Sequence, residues 1–600
     1  MELFESYLAI FSRIAQIDQP KQTTLAQLAQ YLRCSERNVK LILHKMVDKG
    51  WIEWTAGHGR GHYSTIICRR PQEELLAAHA TRFLQDGQIT SVTHLLANPK
   101  LPIACHRQLQ ALLSEWLGFH SEVVPSGRRE VVRLALSRHL STLDPLRAAI
   151  TTEVHFVRQI FDGLVRYDGQ TNQIEPQLAH HWSVNETKTE WIFYLRKGVI
   201  FHNGKPFQAE DVLYTFDRMR QVDSPCGWYF KYLVQMECGD AYSLRLTFSK
   251  PSGFLLHLLA SVHSAILPAD CPPCETQLVG TGPFKLQRRD EEQLVLKRFD
   301  HYHRSPALID GIELFYIPRG ETDVTIRPVQ EENQKVETRA YTIDETGCRF
   351  VCFNFNCSGP QNQRLFRQAV RELLDSDALV RELKGDRVAP ASSFFRKKGW
   401  YTPKKGCSLK AAAELLTQSD YQGEELQLYC FDHPGSLEDA HWLQKRASKI
   451  GLRFAVYPFA MTDFFNSAIE QDAQLLMTGE VFEEDYLFSF VSMLEDKTTL
   501  FRRFLNAEQR QIVDQTAEHL LQCESPEAWW AIIDSFEQKL KNDLVLLFNY
   551  HSNQSVQFSE TFSGIHLSNY GWPDFRKLWI RPNVAQLFPD PCRKCSQSLR

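Results

Sequence analysis

Residues 191–207 read Trp191-Ile192-Phe193-Tyr194-Leu195-Arg196-Lys197-Gly198-Val199-Ile200-Phe201-His202-Asn203-Gly204-Lys205-Pro206-Phe207. The opening run is aromatic and aliphatic, which suits a strand, and Gly198 breaks it. Asn203-Gly204 has the chemistry of a tight turn, and Glu210-Asp211-Val212 then opens a helix. Outward from this block, similar punctuation recurs. Upstream stand Val131-Val132-Arg133-Leu134-Ala135-Leu136, a short β-type run, then Leu143-Asp144-Pro145, Phe161-Asp162-Gly163-Leu164-Val165 and Pro176-Gln177-Leu178-Ala179-His180-His181-Trp182. Downstream stand Gly280-Thr281-Gly282-Pro283-Phe284 and Asp300-His301-Tyr302. Turn chemistry of this kind is mostly structural, so these glycines and prolines are read as fold markers and not as ligand contacts.

The first seventy residues follow another pattern. Phe4, Tyr7, Leu8, Phe11, Ile14 and Ala15 recur at helical spacing, and Pro20 ends that helix. Thr24-Leu25-Ala26-Gln27 is a capping-box sequence for a second helix with Leu25, Leu28, Ala29 and Leu32 on its inner face. Arg33 and Cys34 make a tight connection, and Ser35 caps a third helix whose inner face is Val39, Leu43 and Met46. Its outer face carries Arg37, Asn38, Lys40, Leu41, His44 and Lys45. Long cationic and amide side chains suit a major groove, where they reach phosphates and purine edges. Ser35, Arg37, Asn38 and Lys40, at the N-terminal part of that helix, are the expected deepest contacts. Two β-rich runs, Trp51–Trp54 and Tyr63–Ile67, flank a glycine-rich tip holding Arg60 and His62. The order is helix, helix-turn-helix, wing, and the expected contacts include His44, Lys45, Arg60 and His62. Residues 71–127 carry leucine stripes at helical spacing and are read as a helical connector whose leucines are first of all packed core, with a homodimer surface as the second reading.

Six hundred residues exceed what one core organises, so about three or four structural units are expected. The net charge is −4, but residues 1–70 hold ten Lys/Arg and six Asp/Glu, leaving +4 there and −8 elsewhere. A basic unit on an acidic body fits DNA binding confined to one end. Glu2, Glu5, Arg13 and Asp18 do not suit a secretion signal, and no run of about 18 apolar residues occurs, so a cytoplasmic protein with no membrane partner is expected. The fifteen cysteines are read mainly as small buried hydrophobes. The two CxxC pairs, Cys271/Cys274 and Cys592/Cys595, lack a nearby histidine at ligand spacing. No Walker loop, HExxH or GxSxG motif occurs, so neither an enzyme nor a cofactor is expected, and no metal site is assigned.

The body motifs, with Phe353-Asn354-Phe355-Asn356, Arg367-Gln368-Ala369-Val370 and Lys449-Ile450-Gly451-Leu452, resemble the signature region of the extracellular solute-binding proteins of family 5. The joined architecture resembles the SgrR-type transcriptional regulators, linked to sugar-phosphate stress, and Gly571-Trp572-Pro573-Asp574-Phe575 matches them as well. The resemblance implies an α/β chain: a winged helix-turn-helix at 1–70, the connector at 71–127, and a two-lobed body of the type II periplasmic-binding-protein kind. Lobe one would take 128–347 and 546–600, and lobe two 348–545.

Peptide-binding members hold the ligand's amino group with a carboxylate in an acidic loop, and the matching stretch here is Leu475 to Tyr486. Its Glu480 and Asp485 are candidate contacts, but Tyr486-Leu487 replaces the Asp-Pro pattern and weakens the case for a peptide. Phe161, Asp162, Asn354 and Trp400 are further cleft candidates. A sugar phosphate needs converging cationic donors, and Arg396-Lys397-Lys398 is one cluster of that kind, although an exposed basic turn explains it better. The sequence thus predicts a ligand-responsive regulator with duplex DNA and a small solute as partners. The competing reading is a binding protein for solute uptake whose N-terminal unit contacts proteins.

Overall fold

The structure, a computed structural model, describes residues 3–14, 17–57, 63–86, 88–96, 101–124, 127–136, 139–148, 150–221, 226–317, 338–396, 407–460, 463, 468–497, 499–523, 525–559 and 562–580. The chain forms two compact units. One comprises 1–139, 290–294 and 312–338, and the other 140–289, 295–311 and 339–600.

The first unit begins with α1 (Leu3–Ile14), β1 (Lys21–Thr23), α2 (Leu25–Leu32), α3 (Glu36–Asp48), β2 (Ile52–Thr55) and β3 (Ser64–Cys68). Thr24 caps α2 reciprocally: its hydroxyl accepts from Gln27 N–H at 3.2 Å, and Gln27 Oε1 accepts from Thr24 N–H at 3.1 Å. Arg33 turns the chain in the left-handed region (φ 47°), and its N–H is donated to the carbonyls of Ala29 and Gln30, which closes α2. Ser35 then caps α3. Leu28, Leu32, Val39, Leu43 and Met46 are buried together with Tyr7 and Ile66. The three strands pair in the order β1-β3-β2, so a short strand over Lys21–Thr23 joins the wing.

The same core continues into α4 (Gln72–Gln85), α5 (Ile89–Leu96) and α6 (Ile103–Trp116), then into the hairpin β4 (Gly118–Val124) and β5 (Gly127–Leu136). The strand Gly311–Tyr316 lies beside β5. Arg129 and Arg133 on β5 reach its Glu313 at 2.9 and 2.8 Å. Arg133 also lies over the Trp116 ring, 4.6 Å from its centroid. Residues 128–136, placed in lobe one by the sequence reading, thus share the core of the winged helix through Ala135, Phe315 and Ile317. On one edge β5 pairs antiparallel with β4, Gly118 opposite Arg133, and on the other it meets the sequence-distant strand Gly311–Tyr316.

The second unit contains α7 (Thr151–Ile160), the β6–β7 ribbon (Val165–Asp168, Gln173–Pro176), and the strands β8 (Ala179–Val184) and β9 (Glu190–Leu195). After α8 (Ala209–Gln221) come β10 (Leu233–Asp240) and β11 (Ser243–Phe248), and the sheet order is β10-β11-β9-β8. The 191–207 block reads as expected: strand, then a turn at Gly204 (φ +86°) closed by its N–H to the Phe201 carbonyl at 2.8 Å. His202 explains the distant Gly280-Thr281-Gly282 marker. Its Nδ1 accepts from Gly280 N–H at 3.3 Å and its Nε2 donates to the Gly282 carbonyl at 3.0 Å, an arrangement that needs the neutral ring. Burial lowers this imidazole to about 4, which keeps it neutral. A Cβ on Gly280 would stand 2.1 Å from the Ile160 carbonyl oxygen, so only glycine permits that crossing.

A seven-stranded mixed sheet follows. Its order is Thr338–Asp344, Leu546–Ser559, Gly347–Phe353, Leu475–Val481, Glu425–Phe431, Arg453–Phe459, with Arg387–Pro390 also on Leu546–Ser559. The parallel pair Glu425–Phe431 and Arg453–Phe459 is joined by the helix Pro434–Ser448, the crossover that parallel strands require. Residues 546–559, assigned by the sequence reading to lobe one, pair with Gly347–Phe353 in this sheet. Among the described residues no helix is long and apolar enough to cross a membrane.

Candidate functional site

Two places gather functional side chains, one in each unit. The first is the outer face of α3. Arg37, Asn38, Lys40, Leu41, His44 and Lys45 are all exposed, while Val39, Leu43 and Met46 face inward. Helical periodicity separates the two faces. Among the described residues, Arg37, Lys40 and Lys45 make no ion pair. Ser35 is exposed and its hydroxyl is engaged by Asn38 N–H at 3.4 Å. By contrast Arg69, at the end of β3, is held by Asp18 and Glu53, both at 2.7 Å. Arg69 is thus tied down by carboxylates, whereas Arg37, Lys40 and Lys45 on α3 are not. Arg60 and His62, expected at the wing tip, lie outside the described residues.

The second place is a cavity of about 430 Å³ in the second unit, the size of a small-molecule site. Its wall is built from α7, the β6–β7 ribbon, Tyr302 and Arg304, the acidic pair Glu483 and Glu484, and the segment 566–577. That last segment is a turned ribbon. Leu567 bridges Pro573, and Ser568 N–H donates to the Trp572 carbonyl at 2.8 Å. It carries Trp572 against the His155 ring of α7, stacked at 5.3 Å.

Phe161 and Asp162 are both in this wall. Asp162 is buried and accepts from Gln177 Nε2, from His303 Nε2 at 2.9 Å, from Thr281 Oγ1 at 3.2 Å and from Tyr302 Oη at 3.3 Å. Four donors saturate this carboxylate, so it joins α7 to the 281 and 302 segments. Asn354, Glu480 and Asp485 lie outside the wall. The Asn354 amide donates to the carbonyls of Glu470 at 2.7 Å and Ala473 at 2.8 Å, which fixes a loop. Asp485 caps the helix Tyr486–Glu495 through Phe488 N–H at 3.1 Å, and its other oxygen meets His257 Nδ1 at 2.6 Å. Glu480 sits on the strand Leu475–Val481 opposite Cys348. Burial first, then Asp496, raises its carboxyl to about 7. The acidic loop therefore reaches the cavity through Glu483 and Glu484, with Glu483 paired to Arg158. Trp400, Lys397, Lys398, Cys592 and Cys595 lie outside the described residues, and Arg396 is paired with Asp344 at 2.6 Å. Cys274 is exposed and Cys271 partly so, and no cluster of metal-ligating groups occurs among the described residues.

Sequence reasoning did not single out Arg158, Arg166, Arg304, His155 or Arg576, all of which are in the wall. All five stand within six residues of a recognised marker, namely 161–165, 300–302 or 571–575. Spacing within each marker gave no sign that the three converge. Arg166 pairs with Glu175 directly across the ribbon. His155 is buried, and burial followed by the charge of Arg158 lowers its imidazole to about 3, so it is neutral.

Residues 173–496 match the bacterial extracellular solute-binding proteins, family 5, and residues 3–123 match the N-terminal region of the sugar transport-related sRNA regulators. The chain is 30% identical over 586 residues to the uncharacterized protein YhjP of Bacillus subtilis (strain 168), spanning 97% of this chain and all of that protein. It is 26% identical over 579 residues to the HTH-type transcriptional regulator SgrR of Yersinia pestis (strain Pestoides F), spanning 94% of this chain and 97% of the relative. A dipeptide-binding protein from Pseudoalteromonas sp. SM9913, solved with Met-Leu, superposes over 75% of this chain and 100% of its own with a TM-score of 0.63 at 17% identity. That likeness speaks to the fold.

Proposed function

This chain belongs to the SgrR-type regulators, with a regulator N-terminal region joined to a family 5 solute-binding body, and on that premise we propose that it binds duplex DNA through α3 and the wing in response to a small solute held in the second unit. The observation that carries the reading is the outer face of α3: Arg37, Lys40 and Lys45 are exposed without carboxylate partners, on a helix capped and packed as a recognition helix is. Cations that the fold leaves unpaired are available to phosphates, and each phosphate they neutralise releases counterions. Asn38 offers an amide for an adenine edge, and Leu41, 57% exposed, offers an apolar surface for a thymine methyl.

On this reading the cavity supplies the signal, with Phe161 and Asp162 in its wall. A solute shifts DNA binding only by binding two states of the chain unequally. Neither matched family is an enzyme family, and the chain is read as non-catalytic, cytoplasmic and able to act as a homodimer. The experiment is a salt titration of full-length protein on duplex DNA from its own upstream region and on random duplex. Preference for the upstream DNA, with affinity falling steeply as salt rises, supports the proposal. Equal affinity for both duplexes removes the specific-regulator reading.

A further inference from the structure

The cavity wall carries as many carboxylates as cations, yet its guanidiniums are unevenly partnered, a feature that the regulator reading does not use. Arg166, Arg304 and Arg576 all stand in it. Arg166 is neutralised by Glu175, and Arg576 has Asp574 only at 3.8 Å. Arg304, half-buried, makes no ion pair and no hydrogen bond among the described residues. Burial, and then repulsion from Arg166 and Arg576, hold its guanidinium below the ordinary arginine value. Two further nitrogens in the same wall have no partner. Arg166 Nε is buried without a partner, and so is Nε2 of His155, whose residue is 94% buried. A protein gains nothing for its own stability by crowding guanidiniums with vacant N–H groups around a cavity. An incoming oxyanion relieves all of this at once, since arginine forks match carboxylate and phosphate oxygens in two-point contacts.

We infer that the cavity binds a small solute carrying an oxyanion, a carboxylate or a phosphate, at Arg304, Arg166 and Arg576, with His155 Nε2 meeting a neutral polar group of the same molecule. The inference rests on the solute-sensing reading of this cavity and names the class of solute. Neutral His155 suits a hydroxyl or carbonyl, because its ring carries no charge to compete for the oxyanion.

The test is calorimetry and thermal unfolding of the full chain at constant ionic strength. The probes are inorganic phosphate, glycerol 3-phosphate, succinate and, as the neutral control, glycerol. At least one oxyanion is expected to stabilise the protein saturably, as any native-state ligand must, while glycerol does not. The phosphate and succinate arms separate the two oxyanion sources. Arg304→Gln should weaken that binding about tenfold or more, the usual effect of losing a charge-assisted contact. Without ligand, Arg304→Gln should melt at or above the temperature of the parent chain, because it removes an unpaired charge. No saturable oxyanion binding, or unchanged binding in Arg304→Gln, overturns the inference. So does an Arg304→Gln chain that melts well below the parent, which makes the residue structural. Arg576→Gln should weaken the same probe, and an unchanged affinity there removes the cluster. DNA binding is measured separately without solute. A chain that binds its upstream DNA but no oxyanion overturns this inference alone, and a chain that binds the oxyanion but no DNA supports it while removing the regulator reading.

Discussion

Individual side chains set the pH range over which the second unit is most stable. His155 is neutral in the fold, its imidazole lowered to about 3 by burial and then by Arg158. In the unfolded chain an imidazole titrates near about 6.5. Below that value the unfolded state binds the extra proton, so stability is lost as pH falls from about 6.5 toward about 3. Glu480 works from the other side. Its carboxyl is raised to about 7 by burial and then by Asp496, against 4.5 when free, so between those values the folded state holds the extra proton. Stability is then lost as pH rises through that window and levels off above about 7. Glu480→Gln never ionises. Relative to the parent chain, its stability should therefore rise between pH 5 and pH 8, by about 1–3 kcal/mol. Urea unfolding at the two pH values reads this directly, and an equal difference at both would mean that Glu480 is already ionised at pH 5. On α3 the corresponding single-residue prediction is electrostatic. If Lys40 meets a phosphate, Lys40→Ala should weaken binding to upstream and random duplex alike and lower the log–log salt slope by about 1. A loss confined to the upstream duplex would instead assign Lys40 to a base edge.

At the scale of elements, the N-terminal unit is held by caps and a partly buried ion cluster. Thr24→Ala removes the reciprocal cap of α2 and should cost about 1 kcal/mol. Glu313→Ala should cost more, about 1.5–3 kcal/mol, since it removes a carboxylate that two arginines share on a strand beside Trp116. Denaturation of the two variants ranks them, and a smaller loss for Glu313→Ala would place that cluster in solvent. These elements also mark what the sequence could disclose. Capping boxes, periodic leucines and turn glycines act over a few residues, so α1, α2, α3 and the 191–207 block were legible. The strand Lys21–Thr23 is three residues of mostly polar chain and has no periodicity to detect. The membership of β5 in the first unit depends on Glu313, about 180 residues away, and the cavity depends on 566–577 returning to α7. In the acidic loop the stretch was legible but not which of its carboxylates line the cavity. Asp485 was drawn away by the cap it supplies, and Glu480 by strand alternation.

The whole molecule joins its two units by repeated chain crossings, at 139/140, 289/290, 294/295, 311/312 and 338/339. A body tethered once by a loose linker could bind solute without consequence for DNA. Here five separate covalent passages connect the unit that holds the cavity to the unit that holds α3. Any coupling between them obeys reciprocity: the factor by which solute changes DNA affinity equals the factor by which DNA changes solute affinity. For coupling of ordinary size that factor is about 5–150. The prediction is therefore paired. An oxyanion that binds the cavity should change the affinity of the full chain for its upstream DNA, and saturating DNA should change the oxyanion affinity by the same factor and in the same direction. Calorimetry of the solute with and without DNA, set beside DNA titrations with and without solute, measures both. Arg304→Gln, titrated at the solute concentration that saturates the parent chain, should lose the effect of solute while keeping solute-free DNA affinity, because α3 is untouched. Equal solute affinity with and without DNA would leave two independent binding activities on one chain, and solute would then carry no signal to α3.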